Sequence, residues 1–128
     1  MRTISTPNAP IPAGHYSQAV VNGGLVYVAG QLAIDPEQPE APRGDATRQT
    51  HQALANVSAI LNAAGTNLGR TLQMTVYVTD VDLWPDVNAA YAEVMGEHRP
   101  ARAIVPVGAL KSDFVIEIQA IAALPEEN

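Results

Sequence analysis

The chain predicts an α/β fold of the α+β kind, in the order β-β-α-β-α-β-β, with a mixed sheet and two helices on one face. Three observations carry this. Two segments repeat apolar residues at spacings of three and four, the period of a helix with one buried stripe. The other apolar runs are short, rich in β-branched residues and bounded by Gly, Pro or Asn. One helical segment stands between two β-rich runs, the order of a right-handed βαβ crossover between parallel strands. No repeat or linker divides the 128 residues, so residues 1–128 read as one domain, large enough to bury roughly two thirds of its unfolded surface.

Residues 1–14 contain Pro7, Pro10, Pro12 and Gly14 and read as a lead-in, not an element. Residues 16–21 and 25–32 are β-rich and separated by Asn22-Gly23-Gly24, which supplies the positive φ angles of a tight hairpin turn. Pro36, Pro39 and Pro42 make residues 35–44 a loop, long enough to rim a site. A helix follows, with Asp45 as N-cap and a stripe of Thr50, Leu54, Val57, Leu61 and Ala64; Gly65 is its expected stop. Residues 71–79 alternate, with Leu72, Met74, Val76 and Val78 on one face. The second helix runs from about Leu83 to Met95, with Asp82 as its cap and Asp80 a further capping candidate, Pro85 in its first turn and Gly96 after it. Its inner stripe is Trp84, Val87, Tyr91 and Val94.

Two β-rich segments close the chain, residues 100–107 and 114–122, ahead of Pro125 and an acidic tail. The last is apolar on nearly both faces, which marks a central strand. Two helices cover only one face of such a sheet. Val115 and Ile121 are among the residues left on the other, so self-association through that face is expected.

The formal net charge is −6, from seven Lys and Arg against thirteen Asp and Glu. The basic residues form no run, so the footprint of a nucleic-acid binder is missing. An anion site here has to be built from one or two placed residues. The chain has no Cys, which removes disulfides, thiolate nucleophiles and Cys-ligated zinc. The first residues lack the apolar core of a signal peptide, and no apolar run approaches the ~20 residues of a membrane span. A cytoplasmic protein without membrane contact is expected.

His15, His51 and His98 share no metal-ligand spacing, so no metal site is expected. Ser17 lies close to His15, but side chains diverge along a strand and no Ser-His nucleophile follows. Asn88 needs a partner, which backbone could supply; Gln31 is a polar residue at a strand end. What remains is Arg102 and Glu117, one charge in each of the closing runs, with Tyr16 near the chain start. A charge inside such a run is costly unless it is paired or used. Arg offers a planar fork that matches a carboxylate and stays charged at any working pH. A carboxylate can hold and polarise a water.

Several motifs are similar to those of one family over nearly the whole chain. They are Ala9-Pro10 followed by Gly14-His15-Tyr16-Ser17-Gln18-Ala19; Val28-Ala29-Gly30-Gln31; Leu54-Ala55-Asn56-Val57; Thr75-Val76-Tyr77-Val78-Thr79-Asp80; Val87-Asn88-Ala89-Ala90-Tyr91; Pro100-Ala101-Arg102; and Ile116-Glu117-Ile118-Gln119-Ala120-Ile121-Ala122. In these the chain resembles the RidA (YjgF/YER057c/UK114) family. The resemblance implies a chorismate-mutase-like fold and a homotrimer with clefts between subunits. It implies hydrolytic deamination of reactive 2-imino and 2-enamino acids to 2-oxo acids and ammonia, with no cofactor. Arg102 would bind the substrate carboxylate, Glu117 would place the water, and Tyr16, Ala29, Gly30, Asn88 and Ile104 would bind the rest of the substrate. The chain departs from the family pattern at three positions. Ala29 stands for a common Ser and Ile104 for a Cys or Thr, which makes the cleft more apolar, and His15 stands for a common Pro. The competing expectation is a trimer that binds small 2-oxo or short-chain carboxylic acids through the same Arg102 without turnover. A nucleolytic role is disfavoured by the acidic charge and by the lack of an acid-base His pair.

Overall fold

The computed structural model describes residues 1–126; the last two residues of the acidic tail lie outside them. Six strands form one sheet: β1 (Arg2–Ile4), β2 (Ala19–Asn22), β3 (Leu25–Leu32), β4 (Thr71–Val78), β5 (Ala101–Pro106) and β6 (Ile116–Ala123). Their order across the sheet is β1-β2-β3-β6-β4-β5. The last strand is central, antiparallel to β3 on one side and β4 on the other, while β4 and β5 are parallel. The helices are α1 (Ala46–Ala63) and α2 (Trp84–Met95); α2 is the crossover of the β4-α2-β5 unit.

Local chemistry explains most element ends. Gly23 and Gly24 hold φ of 60° and 79° between the paired residues Asn22 and Leu25, the two-residue turn that matches strand twist. The Asp45 carboxylate accepts from the Arg48 amide at the start of α1, satisfying one orphan donor. Leu54, Val57, Ile60 and Leu61 of α1 are fully buried against the sheet, as are Val26, Met74, Val76, Val78, Ile116 and Ile118. Each such side chain contributes about 1.5–3 kcal/mol on leaving water.

Five expectations need correction. Residues 2–4 form a strand: β1 pairs with β2, Ile4 is buried, and the Arg2 guanidinium donates to the Ala64 carbonyl at 3.2 Å. Three residues are too few to show a period. The second strand starts at Ala19, not residue 16, because the buried Gln18 amide turns away to hold the 6–10 segment. It accepts from the Thr6 amide at 2.7 Å and donates to the Thr6 and Pro10 carbonyls. On β4 the alternation breaks at Leu72, which is exposed while Thr71 is buried; a register shift against β6 between Thr71 and Gln73 inverts the facing there. Asp82 caps nothing. Asp80 accepts from the Asp82 amide and caps a 3-10 turn over Val81–Leu83 that leads into α2. Trp84 and Val94 of the expected inner stripe are exposed, leaving Val87 and Tyr91 as the buried pair.

Both helices cover one face, and β5 is an edge strand with Ala101, Arg102 and Ala103 exposed. The run that carries Arg102 is therefore not buried within this chain. Among the described residues nothing covers the other sheet face; Tyr27 is exposed on it, and Ile121, Tyr77 and Val105 are only partly buried.

Candidate functional site

Strand pairing fixes where the two charges point. On β4, Met74 pairs with Arg102 and Tyr77 pairs with Glu117. Side chains alternate along a strand, so positions three apart face opposite ways. Met74 is fully buried under the helices. Arg102 thus lies on the helical face and Glu117 on the uncovered one.

On the helical face, α2 supplies a cradle for the guanidinium. Arg102 donates to Asn88 Oδ1 at 2.8 Å, and its guanidinium carbon stands 4.9 Å from the centroid of the Tyr91 ring and 6.0 Å from that of Trp84. Residues 84, 88 and 91 share one side of a helix. No carboxylate pairs with Arg102 among the described residues, so its charge is held by neutral groups and stays available. A cavity of about 470 Å³ opens beside it, bordered by Asn88, Tyr91 and Pro100. Burial pushes the Tyr91 hydroxyl up from its ordinary pKa, and the nearby Arg102 charge only partly opposes this. Ile104, two residues further along β5, faces the same way and packs against the core.

Glu117 lines a second cavity, about 410 Å³, with Tyr16, Ala29, Gly30 and Lys111. The β3–β6 register shifts between Val28 and Gln31, so Ala29 and Gly30 form a bulge. This brings Gly30 against Glu117: a Cβ there would come within 2.5 Å of the Glu117 Oε2. Burial raises the Glu117 carboxyl above its ordinary pKa, and no hydrogen bond or ion pair to its carboxylate offsets this among the described residues. The Tyr16 hydroxyl accepts from the Ala13 amide at 3.2 Å, which closes the 13–16 turn at the cavity wall. Residues 10–16, and not the 35–44 loop, rim this cavity; Arg43 of that loop lies over Phe114, 4.5 Å from its ring centroid, beside a separate groove.

The structure therefore brings together Tyr16, Ala29, Gly30 and Glu117 in one group and Asn88 and Arg102 in another. Lys111 and Tyr91 join these groups without having stood out in the sequence. Lys111 was one charge in a polar loop, and Tyr91 fitted a core stripe. The histidines stay apart. His51 faces Glu93 across the two helices at 3.6 Å, His98 Nε2 contacts the Thr71 carbonyl at 2.8 Å, and His15 is exposed. No group of residues suited to a metal occurs among the described residues, and no helix is long and apolar enough to cross a membrane.

Gly30→Ala tests the contact at the bulge. The clashing atom is the free end of a side chain, so the carboxylate should swing aside while the strand holds. The melting temperature is expected to change little. Any activity that depends on this carboxylate should fall by roughly tenfold or more, since small displacements of a group that takes part in a reaction carry large rate costs. Unchanged turnover would mean that the position of the carboxylate is unimportant.

A mixed sheet with two helices on one face, an arginine on a neutral cradle and a half-buried carboxylate at a bulge define the class: a small α+β protein with a candidate site on each face of its sheet. The family model for Endoribonuclease L-PSP matches residues 6–124. A RutC family protein of Pyrococcus horikoshii is 47% identical over 119 residues, covering 93% of this chain and 94% of that one. The 2-iminobutanoate/2-iminopropanoate deaminase of Escherichia coli is 41% identical over 124 residues, covering 94% and 96%. Among solved structures, RidA from an Antarctic Psychrobacter superposes with a TM-score of 0.92 at 39% identity, covering 97% of this chain and 100% of that one. E. coli TdcF with bound serine does so with a TM-score of 0.92 at 36% identity, covering 98% and 100%. The chain belongs to the RidA (YjgF) family.

Proposed function

We propose that the protein hydrolyses reactive 2-imino and 2-enamino acids to 2-oxo acids and ammonia, in clefts between the subunits of a homotrimer. The carrying observation is the placement of Arg102 and Glu117 on opposite faces of one sheet. One chain alone cannot use both on one small substrate. Two chains can, when the helical-face edge of one meets the uncovered face of the next. A closed ring of such head-to-tail contacts also covers the apolar face. The relatives named as imine deaminases favour this chemistry over simple binding.

In that cleft Arg102 grips the substrate carboxylate with its fork while Asn88 and the Tyr91 ring hold the guanidinium. Glu117 from the neighbouring subunit accepts a proton from a water as its oxygen adds to the imine carbon. Glu117 returns that proton to the nitrogen to give the carbinolamine, then takes the hydroxyl proton and passes it to the nitrogen as the carbonyl forms and the C–N bond breaks, releasing ammonia. Imines hydrolyse in water unaided, so orientation and one placed base suffice, and no cofactor is needed. Ala29 leaves the wall beside Gly30 apolar. The seven basic residues in a chain of charge −6 disfavour an RNA substrate. A cytoplasmic site of action fits a catalyst that meets imines as they are released.

Light scattering on a sizing column tests the assembly. The expected mass is about three times the 13.5 kDa of the chain. A monomer at micromolar concentration that still turned over imine would refute the shared cleft. The activity is tested by following imine disappearance when an amino-acid oxidase generates the substrate in situ.

A further inference from the structure

The cavity beside Arg102 holds more cationic character than one carboxylate requires. Besides Arg102 it is lined by Arg99 and His98, and no Asp or Glu lines it. In a chain of net charge −6 this is a local reversal of sign. The polar groups at its wall are mostly donors. Arg102 occupies Asn88 Oδ1, and the other end of that amide is a donor. His98 Nε2 faces the Thr71 carbonyl, an acceptor, so that nitrogen carries the proton. Tyr91 lines the same cavity with a buried hydroxyl that has no partner. The end of α2 does not undo this, since Ala92 O accepts from the Gly96 amide and Met95 O from the His98 amide.

We propose that this cavity takes a ligand with two acid groups, so that the preferred substrates are 2-imino dicarboxylic acids. The carboxylate next to the imine lies on Arg102 and the distal one on Arg99. The proposal rests on the carboxylate role of Arg102 argued above and adds a substrate class to it. Arg99 and Arg102 flank Pro100-Ala101 and both line one cavity, and three residues of chain span at most about 10 Å. Two long side chains converging from such a span can reach both ends of a four- or five-carbon diacid. Lys111 is the alternative cation: it lines the Glu117 cavity, which the neighbouring subunit would bring to the same cleft, and the variants below separate it from Arg99.

The test compares 2-oxoglutarate with 2-oxopentanoate, which match in chain length and differ in the distal acid. Calorimetric titration of the wild-type protein should show the diacid binding about tenfold or more tightly, the scale of one charge-assisted contact. Arg99→Met should lose most of that preference, and Arg99→Lys should keep part of it. Imines generated from glutamate and from norvaline should show the same ratio in kcat/KM. Equal binding of the two acids by the wild type overturns the proposal, as does an Arg99→Met protein with the preference intact. A preference that disappears in Lys111→Met but not in Arg99→Met also overturns it, by moving the second acid to the other cavity. If the acids bind in the expected order and no imine is hydrolysed, the diacid site stands and the deaminase reading falls. If monocarboxylic imines turn over without any diacid preference, the reverse holds.

Discussion

Arg102→Ala is expected to stay folded and assembled while losing roughly a hundredfold or more in kcat/KM for imine hydrolysis. The structure supplies the reason to expect a normal fold. Arg102 is exposed on an edge strand, and its partners are the Asn88 amide oxygen and the Tyr91 ring, not a carboxylate. Its removal leaves no buried countercharge, so the large penalty for an orphaned ion pair does not arise. The Asn88 oxygen is only half-buried and can turn to water. The catalytic loss follows from the fork. A charge-assisted hydrogen bond contributes about 1.5–3 kcal/mol, and losing part of two such bonds gives about two orders of magnitude in rate. Arg102→Lys should recover only a fraction, because an ammonium keeps the charge without the paired geometry. Melting temperature, oligomer mass and hydrolysis rate on the same preparations decide the matter. A folded trimer with near wild-type turnover would remove Arg102 from the mechanism.

The residues proposed to carry the chemistry were legible as types before their arrangement was known. Arg102 and Glu117 stood out as charges in apolar runs. The β-α-β spacing and the doubly apolar final strand placed β6 in the middle of the sheet and β5 beside β4, as the structure has them. What stayed illegible depends on register. A bulge adds one residue to a strand without any mark in the periodicity, and both informative bulges are of this kind. One at Ala29-Gly30 sets Gly30 against Glu117; the other exposes Leu72. The faces of Arg102 and Glu117 follow from pairing across β4, a long-range fact that neither segment contains. Trp84 and Tyr91 look alike on a helical wheel. Only the position of the β5 edge makes one an exposed neighbour of Arg102 and the other its buried floor. Lys111 gave no signal because a lysine in a polar loop is ordinary. Its place at a cavity wall comes from the turn after it, where Ser112 and Asp113 take left-handed φ of 56° and 62°.

Glu117→Gln should abolish most turnover, by about 10²–10⁴-fold for the loss of a positioned base, and should do so without cost to the fold. Here the pH dependence gives a second, independent readout. Burial raises the Glu117 carboxyl above its ordinary 4.5. The native state therefore holds this proton more tightly than the unfolded chain, and native stability declines as pH rises from the ordinary carboxylate range through the raised value. At neutral pH the full cost of the buried charge is present, so the glutamine protein should melt at or slightly above the wild-type temperature. That difference should vanish below the unfolded pKa, where both proteins carry a neutral group. Catalysis runs the other way. Only the ionised carboxylate can take a proton from water, so kcat/KM should fall on the acid side through an apparent pKa above 4.5. The residual rate of Glu117→Gln should lack that limb. Melting curves from pH 4 to 8 and a rate profile over the same range test both signs at once. A glutamine variant that is destabilised at pH 7 would assign Glu117 a structural partner. One that keeps wild-type turnover would leave the water without its base.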